Sequence, residues 1–446
     1  MASSRNKLSI DVAAFARRLL GNVLAHTPMV AGRSVRVCVG YSGGLDSTVL
    51  LVSLYRALKD SDSQVKLSAV HVHHGLSPNA DVWAEHCRRV CQDLGVTYSC
   101  AHVEVKLQAG DGLEAAARRA RYQVYAAIDA DLIVLGQHQD DQAETVFLNL
   151  LRGTSVLGAA SMPAQRQRFV RPMLDVSRTQ LYTYADALGL NWIDDESNDS
   201  TEFSRNYLRK EVLPCLNIRF PSASANLARA ARNFSEAQAL MDDLALIDGA
   251  DQAPLRLESL KHLTEARALN VLAYHLRRFD VRIASRRWLE EVLRQLRDAG
   301  PDRQIRIRAD GKLIRRYQGA LVIEVPEGET PRVVTWIPLS GSVAWGNAFI
   351  VATQTRGEGL SAARLGKTLE FRRREGSDKL ELRAGLRRPL KDLMREVGIP
   401  PWRRHQLPVL VSDRELVWVP FVGIAEKYRC GPEEDGISLE FDEASW

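Results

Sequence analysis

Cysteine is scarce: six in 446 residues (Cys38, Cys87, Cys91, Cys100, Cys215, Cys430), with no Cys-x-x-Cys pair. That excludes a disulfide scaffold and makes reduced thiols the expectation. Cys87 and Cys91 stand at i,i+4 beside His86, but no second half-site follows, so no zinc site is expected there. Long hydrophobic runs are missing too. The longest strongly apolar stretch, Leu416 to Ala425, is far below the ~18 residues of a membrane span. The apolar stretch around Val12 to Phe15 is cut short by Arg17 and Arg18, without the small-residue pattern of a cleaved leader. A cytoplasmic protein with no membrane partner is expected. Neither sign of charge prevails, since 60 Lys and Arg face 55 Asp and Glu. With 26% charged and 45% hydrophobic residues, collagen, coiled-coil and low-complexity readings have no support. What remains is a globular enzyme or binder of about three domains.

The charge is unevenly placed. Residues 354–410 carry 14 basic against 7 acidic residues, and 411–446 carry 3 against 9. Arg372, Arg373, Arg374, Arg387, Arg388, Arg403 and Arg404 dominate the basic block, and such a stripe suits a phosphate backbone.

Residues 34–151 alternate short β-rich runs (Ser34 to Val39, Val65 to Val72, Thr97 to Val105, Asp131 to Leu135) with helical stretches (Asp46 to Lys59, Asn79 to Leu94, Gly112 to Ala130, Gln139 to Leu151). The pattern predicts an α/β fold, a doubly wound parallel sheet with ligands at the carboxyl ends of its strands. A further helix, Ser177 to Leu188, leads into a polar segment, Asp194 to Arg209. Helical patterns then dominate (Leu227 to Ile247, Glu258 to Phe279, Ser285 to Asp298), with strand-like runs at Gln304 to Arg308 and Ala320 to Val325. The last part has short strands around one helix, Arg388 to Val397. The expected division is a catalytic domain at 1–220, a mainly helical middle domain at 221–331 and a small, basic α+β domain at 332–446.

The most informative segment follows the first strand: Ser42-Gly43-Gly44-Leu45-Asp46-Ser47, opening a helix. Two glycines let backbone approach an anion, and backbone N–H groups, the Ser42 and Ser47 hydroxyls and the helix N-terminus form a cradle for phosphate. There is no lysine of the Walker type. Asp46 would repel phosphate unless Mg²⁺ lay between them.

This loop resembles that of the N-type ATP pyrophosphatases, adenine nucleotide alpha hydrolase-like enzymes that cleave ATP to AMP and pyrophosphate while adenylating a carbonyl oxygen. Further segments resemble one family within them, the tRNA(Ile)-lysidine synthetases. They are His71-Val72-His73-His74-Gly75-Leu76, Glu114-Ala-Ala-Ala-Arg118-Arg119-Ala-Arg121-Tyr122, Gly136-Gln137-His138-Gln139-Asp140-Asp141-Gln142-Ala143-Glu144-Thr145, Asp195-Glu196-Ser197-Asn198 and Arg205-Asn206-Tyr207-Leu208-Arg209. Gln137 and Glu196 depart from the family's histidine and proline. The likeness extends through 256–324 and from Arg388 to Ala425.

The resemblance implies ligation of L-lysine to C2 of the wobble cytidine of a minor isoleucine tRNA with a CAU anticodon, using ATP and Mg²⁺. It implies catalytic roles for Asp46, Arg118, His138, Asp141, Glu144, Asn206 and Arg209. Nucleotide contacts fall to Ser42, Gly43, Gly44, Leu45, Asp46, Ser47, His74 and Arg121, and metal ligation to Asp46 and Asp141, with Asp140 as the alternative acid. His138, Asp141 or Glu144 would be the general base. A tRNA thiolase of the same superfamily is the main alternative, but it would need cysteines to carry sulfur. A synthetase amidating a small molecule would not need the basic C-terminal part, and a non-catalytic RNA binder would have no use for Asp46, Asp141 and Glu144 together. The sequence does not choose between a monomer and a dimer.

Overall fold

The computed structural model describes residues 10–27, 33–61, 63–107, 112–194, 204–252, 254–298, 305–324, 330–337, 341–346 and 348–442. The chain divides into two compact units, Met1–Met241 and Asp242–Trp446.

The first unit begins with α1 (Val12–Leu24), which buries Phe15, Leu19 and Val23 on one stripe. The expected alternation follows: β1 (Val35–Gly40), α2 (Leu45–Lys59), β2 (Val65–His73), α3 (Ala80–Leu94), β3 (Thr97–His102), α4 (Leu113–Ala127), β4 (Leu132–Val134) and α5 (Gln139–Leu151). After α6 (Val156–Ala159), the short strands β5 (Gln165–Arg166) and β6 (Phe169–Val170) lead to α7 (Arg178–Leu188). The strand order is β3-β2-β1-β4-β6-β5, with only the β5–β6 pair antiparallel. The central strands are continuous apolar runs because helices cover both faces, and Val37, Val39, Ile133 and Val134 are inaccessible to solvent or nearly so. The order reverses between β1 and β4. A crevice therefore opens at their carboxyl ends, between the loops that leave them.

A helical run, α8 (Ser204–Tyr207), a π turn (Leu208–Val212) and α9 (Leu213–Arg219), then precedes the long α10 (Ala223–Ile247). Residues 195–200, which include the Asp195-Glu196-Ser197-Asn198 segment, lie outside the described residues.

In the second unit, the helix expected over Glu258 to Phe279 is interrupted. A short 3₁₀ turn, Ser259–His262, ends before Thr264, whose hydroxyl caps α11 (Glu265–Arg278) by accepting from the Arg267 amide. With α12 (Arg286–Asp298) it packs on a four-stranded antiparallel sheet, order β7-β10-β9-β8, built from β7 (Leu255–Arg256), β8 (Arg306–Ala309), β9 (Lys312–Tyr317) and β10 (Ala320–Glu324). Two-residue turns at Asp310-Gly311 and Gln318-Gly319, all four at positive φ, give the twist its hairpins require. The C-terminal strands form two larger antiparallel sheets around a core that includes Trp345, Phe371 and Val409. The segment expected as one helix from Arg388 is instead a strand, Leu386–Pro389, followed by a shorter helix, Leu390–Glu396.

Candidate active site

The loop after β1 closes on itself. The Ser47 hydroxyl donates to the Gly44 carbonyl (3.1 Å), accepts from the Ser42 amide (3.2 Å) and lies 3.0 Å from the Ser42 hydroxyl. Gly43 has φ +85°, and a Cβ there would lie 2.6 Å from Ile193 Cδ1 and 2.9 Å from Cys87 Sγ. Ile193 is tied to the same turn through its amide, which donates to the Gly43 carbonyl (2.9 Å). Gly44 caps α2 without a side chain, leaving first-turn N–H groups for an anion. Leu45 is buried beneath, and Asp46 faces the crevice in the helix's first turn.

The opposite wall comes from β4. A Cβ on Gly136 would meet the Asp46 and Ser47 backbone at 3.2 Å, so glycine permits the two loops to approach. His138 then caps α5: its Nδ1 accepts from the Asp140 amide (3.2 Å), and Asp141 reaches back to the His138 amide (3.1 Å). His138 Nε2 lies 3.5 Å from Asp46 and 3.6 Å from Asp141. Burial opposes a charged ring, but Asp141, Asp140 and Asp46 outweigh it and push the His138 pKa up to about 10. A ring so charged carries hydrogen on both nitrogens, Nε2 toward Asp46 and Asp141 and Nδ1 toward the Asp140 carboxylate 3.6 Å away, and only the neutral ring accepts from the Asp140 amide. Asp140 turns elsewhere, accepting from the Arg178 amide at the start of α7 (2.9 Å). Burial raises its pKa, but His138 and that amide bring it below the ordinary value.

Arg205 and Arg209 bring the third wall. Arg209 forms a bidentate pair with Glu144 (2.6 and 2.9 Å) and reaches Asp141 (3.0 Å). Arg205 lies 3.2 Å from Glu144 and donates to the Thr145 hydroxyl (2.7 Å). Glu144 is 1% exposed. Burial pushes its pKa up against the pull of Arg209. The π turn carrying Arg209 is a form frequent at functional sites. Asn206 lies in α8 between the two arginines.

A second cluster is almost purely cationic. Arg118 lies over the Tyr122 ring (4.9 Å to the centroid) and donates to its hydroxyl (3.3 Å). Burial, with Arg205, Arg121 and Arg171 nearby, lowers its pKa. Arg171, at the end of β6 and 5% exposed, has a buried Nε with no partner. Burial and Arg121 likewise hold His74 down to about 4, and neither of its ring nitrogens has a partner. Such crowding of like charge calls for an anion.

The fold thus joins Asp46, His138, Asp141, Glu144 and Arg209, with the Ser42–Ser47 loop, at the crevice, and groups Arg118, Arg121 and His74 in the cationic cluster. Three participants were missed as site residues: Arg171, Arg205 and Gly136. Arg205 was visible in its motif as the residue one turn before Arg209. Arg171 had no signal, because a lone arginine in Val170-Arg171-Pro172 gains meaning only from neighbours far along the chain, and Gly136, although it opens the Gly136–Thr145 segment, gave no hint of the close approach to Asp46 that requires it.

Asp46 Oδ1 is buried without a partner, and Asp46 and Asp141 both approach His138 Nε2. Hard carboxylate oxygens, one of them unsatisfied, fit Mg²⁺. Cys87 and Cys91, by contrast, are wholly buried in the core, and burial pushes both thiols up to about 12. Among the described residues no metal-binding group includes them.

Comparison with known proteins decides the family. Residues 16–216 match the PP-loop domain, 255–322 the TilS substrate binding domain and 369–441 the TilS substrate C-terminal domain. A tRNA(Ile)-lysidine synthase of Azoarcus sp. is 39% identical over 418 residues, 91% of each chain. One from Nitrosomonas europaea is 35% identical, covering 90% of this chain and 91% of its own. One from Pseudomonas syringae pv. tomato is 40% identical, covering 85% and 87%. The chain belongs to the tRNA(Ile)-lysidine synthase family. As a tRNA(Ile)-lysidine synthase homologue it keeps the PP-loop and both family-specific C-terminal matches in order, and Arg205 and Arg209 close its crevice at the far end of the PP-loop match.

Proposed function

We propose that the protein makes lysidine: ATP adenylates the C2 carbonyl oxygen of the wobble cytidine in a CAU anticodon, releasing pyrophosphate, and the lysine ε-amine then displaces AMP. The observation that carries this reading is the convergence of the phosphate cradle with Asp46, Asp141 and the Glu144–Arg209 pair at one crevice, in a chain matching lysidine synthases over most of its length. The Ser42–Ser47 loop holds the leaving pyrophosphate. Arg118 and Arg121, with Arg171 behind them, face the phosphates' charge. Asp46 and Asp141 would hold Mg²⁺, whose charge lets a carboxylate and a phosphate share the crevice.

Glu144 is a positioning residue in this scheme: bound to Arg209 and close to Arg205, it orients the guanidiniums toward Asp141. The proton of the attacking amine then falls to Asp141, because His138, held protonated by the acids around it, has no lone pair free to take it. The middle region at 221–331 and the basic region at 332–446 are assigned to tRNA contact. A thiolase reading lacks a paired thiol: Cys38, Cys87 and Cys91 are buried, and the more accessible Cys100, Cys215 and Cys430 form no Cys-x-x-Cys pair.

Incubation with ATP, labelled lysine and total tRNA tests the proposal. Label is expected in the isoleucine tRNA bearing CAU and in no other. Without lysine, an adenylated tRNA and pyrophosphate are expected. Labelling of no tRNA by an otherwise folded, ATP-cleaving protein would overturn the substrate assignment.

A further inference from the structure

Outside the crevice, His73, Asp81 and His102 form the one group of three metal-ligating side chains among the described residues whose ligand atoms all lie within 4.8 Å of one another. Each comes from a different element. His73 ends β2, His102 ends β3 directly beside it in register, and Asp81 stands in the first turn of α3. The strand ends are pinned by the Val103 amide donating to the His73 carbonyl (3.0 Å). His73 Nε2 lies 3.1 Å from Asp81 Oδ1, and the two imidazole rings are 4.5 Å apart at 33°. Ligand atoms around a tetrahedral zinc ion with bonds of about 2.0 Å stand roughly 3.3 Å apart. The His73–Asp81 pair already has that spacing, and His102, exposed at the strand end, closes the remainder by a side-chain rotation.

We propose that His73, Asp81 and His102 bind a divalent transition ion of the zinc type, with a fourth position open to water. Two imidazoles and one carboxylate are the donor set such ions prefer, and Mg²⁺, which demands oxygen, would not compete for it. The site lies at the β2–β3 edge, outside the β1–β4 crevice although β2 borders β1 in the sheet order. It nonetheless bears on the crevice, because His74 and Gly75 leave β2 directly after His73. An ion that fastens β2 to α3 and β3 holds that edge in place. No part of this rests on the tRNA reaction.

Titration of the full-length protein with Co²⁺ at neutral pH, in the presence of Mg²⁺, tests the site by visible absorption. One equivalent is expected to bind with the bands of a low-symmetry nitrogen and oxygen site. His102→Asn and Asp81→Asn should each weaken binding by about tenfold or more, while Asp46→Asn, altered only in the crevice, should bind as the parent does. Both ligand positions are exposed, so the variants should unfold at the parent's midpoint, which thermal melts without metal check. Absence of a visible band in the parent, an unchanged isotherm for His102→Asn, or loss of binding in Asp46→Asn alone would each overturn the proposal.

Discussion

Glu144 brings a carboxylate to a place with almost no solvent, and Arg209 is the partner that makes the charge tolerable there. Removing one member of a buried pair leaves the other uncompensated, at ~3–5 kcal/mol. Arg205 still stands near Glu144 in an Arg209→Ala variant, so the loss in denaturant unfolding should fall toward the lower end of that range. Glu144→Gln keeps the shape and removes the charge. If Glu144 orients Arg209 instead of taking a proton, this variant should slow both adenylation and lysine transfer without moving the pH profile of either. A profile shifted only in the lysine step would make Glu144 the base.

His74 gives a pH dependence whose sign follows from its surroundings. Its pKa is lowered to about 4 from 6.5 by burial first and by Arg121 second. Above pH 6.5 both folded and unfolded forms are neutral and nothing is lost. As pH falls toward 4, the unfolded chain takes up a proton that the folded one refuses, and stability declines. His71, buried against the Tyr41 carbonyl, shifts in the same direction. Unfolding midpoints measured between pH 4 and 8 should fall more steeply on the acid side for the parent than for His74→Asn, and parallel curves would refute the assignment.

At the scale of elements, the loop between β1 and α2 is held by contacts that leave no room. Gly43→Ala places a methyl against Ile193 and Cys87 at a backbone angle that costs a non-glycine residue on the order of 1–3 kcal/mol. The expected result is a protein with an intact sheet by circular dichroism, weaker ATP binding measured by calorimetry, and a lower unfolding midpoint. Unaltered ATP affinity would show that the turn's shape does not matter to the cradle.

Elements of this kind were the legible part of the sequence. Gln139–Leu151 could be bounded because an acidic first turn marks its start, and β1 through β4 because apolar runs between punctuating loops have one sensible reading. The break at Thr264 was hidden since Leu257, Leu260 and Leu263 continue a helical spacing while turning inward from a short 3₁₀ turn and its flanks, not from an α-helix. The hairpin strand β9, Lys312–Tyr317, was hidden by its three basic residues, although Asp310-Gly311 is a recognisable turn. The site was legible where chemistry is concentrated in short segments and illegible where it depends on which strand ends become neighbours, as with Arg171 and with the packing of Gly136 against Asp46.

At the scale of the molecule, the basic block is less available than its composition implies. Arg372 is paired with Asp378 and Arg388 with Glu396, while Arg404 is buried and donates to the Ile399 carbonyl. Trp402, in the same block, packs edge-on to Tyr317 under the Arg315 guanidinium, so a stacking role toward a nucleotide is not needed to explain it. Arg374 and Arg387 have no ion-pair partner among the described residues. Substituting glutamine at these two should lower the salt slope of tRNA binding by about 0.7–0.9 for each phosphate that is no longer neutralised. Arg372→Gln should instead lower stability and leave the slope alone. Equal slopes for all three variants would place tRNA binding outside this block.

The closing of the crevice by Arg205 and Arg209 also sets an order in time. On the ribosome, every strand of the first unit's sheet has been made once Val170 emerges, with Glu144 already in place on α5, yet its arginines are 61 and 65 residues further along than Glu144 itself. Until they leave the exit tunnel, the growing chain holds a carboxylate that the interior cannot accept unpaired. The α5 segment of a nascent chain held on a C-terminal linker with Leu190 clear of the tunnel should therefore be open to protease where that of a chain extended beyond Arg219 is shut, so that synthesis completes the sheet first and the crevice last.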